Sequence, residues 1–188
     1  AFAGSGVHLA KSSGEFIQGS PLNALLAKPP FQEYHLIDID QDKADNLRDL
    51  TKDHSNVVIY DGDCNQVLRN RVFPTMKFED YRRALCILDP YGLHLDWDII
   101  ATAGKMRSIE IFLNFPVADM NRNVLWRDPT GVDEAQLGRM NAFWGDDSWR
   151  RAAYTTEGNI FGYEEKTDNE TIAKAFQERL KTVAGFAH

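Results

Sequence analysis

The chain has 188 residues, 43% of them hydrophobic and 26% charged, the balance of a globular domain. At a net charge of -7 and a pI near 5.2 it lacks the lysine and arginine for a broad phosphate-binding surface, although a small basic mouth around one pocket is compatible with that charge. The two cysteines, Cys64 and Cys86, form neither a metal-ligand spacing nor a disulfide framework, which fits a reducing cytosol, and no stretch approaches the ~20 apolar residues of a membrane span.

This length predicts a single domain over 1–188 that buries roughly 70% of the surface its unfolded chain exposes. Ala1-Phe2-Ala3-Gly4-Ser5-Gly6 is a glycine-rich turn. Gly4 and Gly6 carry no Cβ, so a ligand can approach the backbone closely. Such a turn ordinarily follows a strand, and the expectation is a longer chain whose first strand precedes Ala1. Residues 7–19, with Lys11-Ser12-Ser13-Gly14 and Gly19, read as a flexible loop, either a lid over a ligand or a surface insertion. Ser20 reads as an N-cap and Pro21 as the first residue of a helix through Leu22, Leu25 and Leu26 that ends near Pro29-Pro30.

Tyr34-His35-Leu36-Ile37-Asp38-Ile39-Asp40 is the second strand, with an acidic end. In nucleotide-binding α/β units a carboxylate at this place accepts both ribose hydroxyls, and Asp38 suits that role better than Asp40 because the apolar run before it is cleaner. Asp40 reads as the cap of a helix over about Gln41 to Asp53. The third strand, within Asn56 to Tyr60, ends in Asp61-Gly62-Asp63-Cys64-Asn65. There Asp63 either accepts from an adenine amino group or caps a helix through Val67 and Leu68.

Ala84-Leu85-Cys86-Ile87-Leu88 is an unbroken apolar run, which predicts a fourth strand buried on both faces. It stops at Asp89-Pro90-Tyr91-Gly92, where Pro90 has no N–H to continue a ladder and Gly92 lets the backbone turn away. One carboxylate, one rigid carbonyl and one ring thus stand at the carboxyl end of a central strand, where open α/β sheets keep their ligands. A helix is predicted over Trp97–Arg107 with Asp96 as its cap, then a fifth strand, Ile109-Glu110-Ile111-Phe112-Leu113, closing on Asn114-Phe115-Pro116. This alternation implies a parallel sheet with right-handed crossovers.

Over about 119–155 the pattern changes to short helices in a small cap beside the sheet, and three of the four tryptophans fall there: Trp126, Trp144 and Trp149. Mixed with Arg122, Arg150 and Arg151 they read either as a base-stacking and phosphate-holding surface or as plugs between cap and sheet. Glu170 to Phe186 places Ile172, Phe176, Leu180 and Val183 on one face of an amphipathic helix.

The four strand ends carry, in order, a glycine turn, Asp38, Asp63 and Asp89-Pro90-Tyr91, an order that resembles the class I S-adenosylmethionine-dependent methyltransferase fold. Phe2-Ala3-Gly4-Ser5-Gly6, Gly19-Ser20-Pro21, His35 to Asp40, Gly62-Asp63-Cys64-Asn65, Leu88 to Gly92, Leu113 to Pro116, Asp119 to Trp126 and Phe143-Trp144-Gly145 together resemble the three-Cys-motif partner protein family over nearly the whole chain. The resemblance implies an α/β, Rossmann-like three-layer sandwich with a mostly parallel sheet and a small helical insertion after the fifth strand. It implies S-adenosylmethionine held by Phe2, Ala3, Gly4, Ser5, Gly6, Asp38, Asp63 and Cys64. It also implies a protein partner bearing the cysteine motif, and segments beyond both ends of the present chain, without which the pocket would be incomplete.

Asp89-Pro90-Tyr91-Gly92 resembles the catalytic loop of methyltransferases that act on nucleobase amino groups, with one proline fewer than the Asp-Pro-Pro-Tyr form and closer to the Asp-Pro-Phe-Gly form of tRNA guanine-N2 dimethyltransferases. An exocyclic amine is a poor nucleophile because its lone pair is shared with the ring. If Asp89 and the Pro90 carbonyl both accept from it, the lone pair is freed, while Tyr91 stacks on the base; positioning of this kind supplies roughly 7–11 kcal/mol of a barrier. In a duplex the base would first have to be flipped out. His94 follows as a proton acceptor or a loop histidine. The expected function is therefore methyl transfer to a base amine, in RNA in preference to DNA. A non-catalytic module that binds the partner stands as the alternative. A nicotinamide oxidoreductase fits less well, because position 9 is Leu9 instead of a third glycine and Asp38 lies beyond the usual ~20 residues.

Overall fold

The computed structural model describes residues 1–9, 14–156 and 164–187 of an α/β protein. Its residues group into two compact units, Ala1–Thr75 with Ile87–Asp89, and Met76–Cys86 with Pro90–His188. Among the described residues no helix is long and apolar enough to cross a membrane.

In the first unit, β1 (Val7–Leu9) and β2 (Phe16–Gln18) pair antiparallel, with Val7 opposite Gln18. The arms of the segment expected to be a free loop are therefore strands. Val7, Phe16 and Ile17 are strand formers, and pairing satisfies backbone groups that a loop would leave to water. The Lys11-Ser12-Ser13 part of that loop lies outside the described residues. Helix α1 (Ser20–Leu25) starts one residue earlier than expected, with Gly19 at the N-cap and no side-chain cap. The Gly19 N–H donates to the Gly6 carbonyl at 2.7 Å, which ties the glycine turn to the start of α1.

Strands β3 (Tyr34–Asp38) and β4 (Val57–Asp61) are parallel and in register from Tyr34↔Val57 to Asp38↔Asp61. Helix α2 (Gln41–Thr51) joins them and packs against both, burying Ala44 and Leu47 completely. The strand stops at Asp38 because Asp40 is already the cap of α2, accepting from the Lys43 N–H at 3.3 Å. Helix α3 (Cys64–Val67) is capped by Asp63 and continues as a π-helical turn, Leu68–Val72, and a 3-10 turn, Phe73–Thr75.

Strand β5 (Ala84–Leu88), of which Ala84–Cys86 belongs to the second unit, pairs with β6 (Ile109–Leu113), and the Ala84 N–H donates to the Ser108 carbonyl at 2.9 Å. The expectation that this strand is buried on both faces is corrected. Leu88 is fully buried, but Leu85 and Ile87 are exposed, as is Phe112 on β6. Side chains alternate across a strand, so an unbroken apolar run can still present one uncovered face. Helix α4 (Trp97–Met106) follows; Asp96 occupies its N-cap position without a side-chain cap bond.

Helices α5 (Val117–Asn123), α6 (Glu134–Trp144) and α7 (Trp149–Ala153) form the short-helix region. Strands β7 (Tyr154–Thr155) and β8 (Glu165–Lys166) pair antiparallel before α8 (Asn169–Arg179), which Asp168 caps by accepting from the Thr171 N–H at 2.7 Å. The α8 pattern holds for Ile172 and Phe176, which are buried. Val183 is exposed, because Leu180–Ala184 winds as a π-helical turn and the 3.6-residue period no longer applies.

Phe176 anchors an aromatic cluster, with ring centroids 4.9 Å from Phe115, 5.2 Å from Trp144, 5.3 Å from Phe143 and 5.8 Å from Trp97. Trp144 and Trp149 are likewise buried, so these two plug the core, whereas Trp126 is 42% exposed. The close approach of α4 to the Leu180–Ala184 turn depends on Gly104: a Cβ there would run into the Ala184 carbonyl oxygen and lie 3.1 Å from the Phe186 ring. Gly104→Ala is expected to destabilise the chain by roughly 1–3 kcal/mol through overpacking against backbone. That outweighs the gain of about 1 kcal/mol in helix propensity. Gly138→Ala in α6, where a Cβ would meet nothing within 4 Å, is the control and is expected to be neutral or stabilising in the same denaturant melt.

Candidate functional site

The first unit brings the glycine turn onto the carboxyl end of β3. The Ala3 N–H donates to the Ile37 carbonyl at 2.8 Å, and the Gly4 N–H donates to Asp38 Oδ2 at 2.7 Å. Asp38 is 8% exposed; its Oδ1 accepts from the Asp40 N–H at 3.0 Å, and its carbonyl accepts from the Gly62 N–H at 2.9 Å. Each carboxylate oxygen keeps a second lone pair, so Asp38 can still accept from two hydroxyls. The Ala1 amine donates to the Ile87 carbonyl at 2.8 Å. The turn therefore bridges β3 and β5 one residue before Asp38 and two before Asp89, which puts both carboxylates on one rim of this unit. Asp61, at the end of β4, stands beside Asp38 in register.

The turn divides its work. Phe2, Gly4 and Gly6 all hold positive φ, at 58°, 69° and 79°, a conformation that a non-glycine residue such as Phe2 adopts only under strain. A Cβ on Gly4 would meet nothing within 4 Å, so the backbone there faces open space. A Cβ on Gly6 would lie 2.9 Å from Leu47 and 3.2 Å from Leu50. The expectation that both glycines serve a ligand is thus narrowed: Gly4 leaves room for one, and Gly6 is a packing position. Ser5 is tied down, its hydroxyl donating to the Val7 carbonyl at 2.6 Å and its own carbonyl accepting from Asn46 Nδ2 at 2.5 Å. Asn46 is a support that sequence reasoning missed, since an asparagine on the polar side of α2 carries no local signal of a partner 41 residues away.

Asp63 takes the capping role that had been one of its two readings, with Oδ1 accepting from the Gln66 N–H at 3.0 Å. Cys64 is buried at 5% exposure. Asp89 is exposed at the end of β5. In the second unit Pro90 is buried and Tyr91 is 86% exposed. The turn then passes α5 so closely that a Cβ on Gly92, where φ is +67°, would lie 2.9 Å from Asp119 Oδ2. Glycine is required there both for conformation and for space. Asp119 in turn accepts from Asn123 Nδ2 at 2.9 Å. His94 is exposed.

The first unit therefore offers a glycine turn open at Gly4 and fastened to a buried carboxylate with spare acceptor capacity, at the end of a parallel strand pair. Asp38 is the group here that could accept from the hydroxyls of a ligand. No protein-family model, curated protein or solved structure matches this chain.

Proposed function

We propose that the protein is an S-adenosylmethionine-dependent methyltransferase of the class I, Rossmann-like architecture that acts on an exocyclic amine of a nucleic acid base, in RNA in preference to DNA. The observation that carries this reading is the bond between the Gly4 N–H and the buried Asp38 carboxylate, which joins the glycine turn to the acidic strand end. S-adenosylmethionine would supply a methyl group made electrophilic by the sulfonium. Asp38 would accept from the ribose hydroxyls, the backbone from Phe2 to Gly6 would border the amino acid end, and Asp63 and Cys64 would lie toward the adenine. Asp89 would accept from the substrate amine, localise its lone pair and take up its proton. Tyr91, exposed as it is, would offer a ring face to the base.

Calorimetry with S-adenosylmethionine on the full-length protein tests the cofactor half. Asp38→Ala is expected to weaken binding by roughly 10–100-fold, since hydrogen bonds to a charged group contribute about 1.5–3 kcal/mol. Asp38→Asn keeps one acceptor and should fall between. Identical binding by the wild type and Asp38→Ala would remove the proposal.

A second reading, a non-catalytic module that docks on a cysteine-motif protein, is favoured by the exposed apolar side chains Leu85 and Phe112 in the second unit. A methyl-transfer assay with that partner present separates the two.

A further inference from the structure

In the second unit Lys166 is brought against α5, in a chain whose net charge is -7. Lys166 Nζ donates to Asn121 Oδ1 at 2.6 Å, and Asn121 Nδ2 donates to Asn169 Oδ1 at 2.9 Å. This fixes the β8 lysine against α5, next to the exposed Arg122. Burial, and after it the charge of Arg127, pushes the Lys166 ammonium below its ordinary pKa, so Arg127 stands close enough to act on it. Arg122, Arg127 and Lys166 form no ion pair among the described residues. Among the described residues, the acceptor bonded to the Lys166 amine is a neutral amide. Arg127 and Lys166 repel one another, a cost that an anionic ligand would relieve.

An aromatic plate sits among them. The Trp126 indole N–H donates to the Arg122 carbonyl at 2.9 Å, and the Tyr154 hydroxyl donates to the Trp126 carbonyl at 2.8 Å, so this tryptophan is held at both ends with 42% of its surface exposed. At the other end of α5, Asp119 touches the turn that carries Tyr91. Among the described residues, the acids close in sequence to these cations are Asp119, Glu164, Glu165, Glu170 and Asp128, whose Oδ1 is engaged by the Thr130 N–H and hydroxyl. Cations alone would equally suit an acidic protein, but a rigidly held indole with an open face is what a nucleobase uses and a carboxylate does not.

We propose that Arg122, Arg127, Lys166 and Trp126 form the track that holds the backbone of a single-stranded nucleic acid, with phosphates on the three cations and one base stacked on the indole. This deepens the methyltransferase reading and rests on it for the nature of the substrate, but it is measurable without cofactor. The probe is a fluorescein-labelled single-stranded RNA of about 15 nucleotides, followed by anisotropy with the full-length protein between about 50 and 200 mM salt. The variant Arg122→Ala/Arg127→Ala/Lys166→Gln is expected to flatten the slope of log K against log salt by about 2, since each lost phosphate contact removes about 0.7. Trp126→Ala is expected to weaken binding by roughly 5–100-fold with the slope unchanged, because stacking on an aromatic is neutral. As Lys166 is partly buried, Arg122→Glu/Arg127→Glu, which alters only exposed side chains, guards against a folding artefact; its circular dichroism should match wild type while its affinity falls further. RNA that binds the two charge variants with the wild-type slope, or Trp126→Ala with wild-type affinity, overturns the proposal. So does RNA that fails to bind at the lowest salt, or a glutamate-rich peptide of equal charge that competes as well as RNA. Failure here with Asp38-dependent S-adenosylmethionine binding intact would leave the methyltransferase reading standing; loss of that cofactor binding with the RNA track intact would do the reverse.

Discussion

Asp89→Ala is expected to reduce methyl transfer by roughly 10²–10⁴-fold, the range that one positioned proton acceptor contributes, with S-adenosylmethionine affinity unchanged. The expectation follows from placement. Asp89 stands exposed at the end of β5, and substitution of an exposed side chain ordinarily shifts stability by no more than about 0.5 kcal/mol. Asp89→Asn separates two contributions. Its amide oxygen still accepts from an amine, so orientation survives, while the proton acceptor is lost. It should therefore recover part of kcat. The measurement is single-turnover transfer from labelled S-adenosylmethionine to RNA, with and without the cysteine-motif partner. Turnover that Asp89→Ala leaves intact would remove Asp89 from the reaction. Absence of turnover in the wild type despite cofactor binding would favour the docking-module reading.

Phe176→Ala is expected to be the most damaging single truncation in the second unit. Phe176 is 3% exposed and its ring meets Phe115, Phe143, Trp144 and Trp97 at centroid distances of 4.9 to 5.8 Å. Deleting a buried phenylalanine costs about 3–5 kcal/mol, from lost transfer free energy and from the cavity that the neighbours cannot fill. At this chain length that lowers Tm by roughly 6–20 °C. Two of the four contacts are tryptophans, so near-ultraviolet circular dichroism should change with the melting point. Phe176→Leu keeps most of the volume and loses only the ring geometry, and should cost under half as much. A Phe176→Ala protein that melts with the wild type would mean that this cluster is not what holds α8 in place.

Much of the backbone plan was legible in the residues because its signals are local. Tyr34 to Asp38, Val57 to Asp61, Ala84 to Leu88 and Ile109 to Leu113 are apolar runs that end at acids, prolines or glycines, and all four are strands. Asp40 and Asp63 sit one residue before helices and cap them, since a short side chain with an oxygen acceptor satisfies the first free N–H groups without help from elsewhere. The alternation of these elements gives the α/β class.

What the tertiary structure decided are the matters that depend on partners far along the chain. The hairpin at Val7–Leu9 and Phe16–Gln18 needed a cross-strand register to become visible. The run Ala84 to Leu88 has the same letters whether one face or two is covered, and only the packed chain shows Leu85 and Ile87 exposed. Gly4 and Gly6 look alike in the turn, yet one faces open space and the other presses on Leu47. Trp126, Trp144 and Trp149 look alike too, and the fold buries two and leaves one half-exposed, its indole N–H on the Arg122 carbonyl. Composition and spacing record what a side chain is able to do. Burial and the direction in which a backbone N–H points are set by contacts tens of residues away, and these determine whether Asp38 receives the glycine turn.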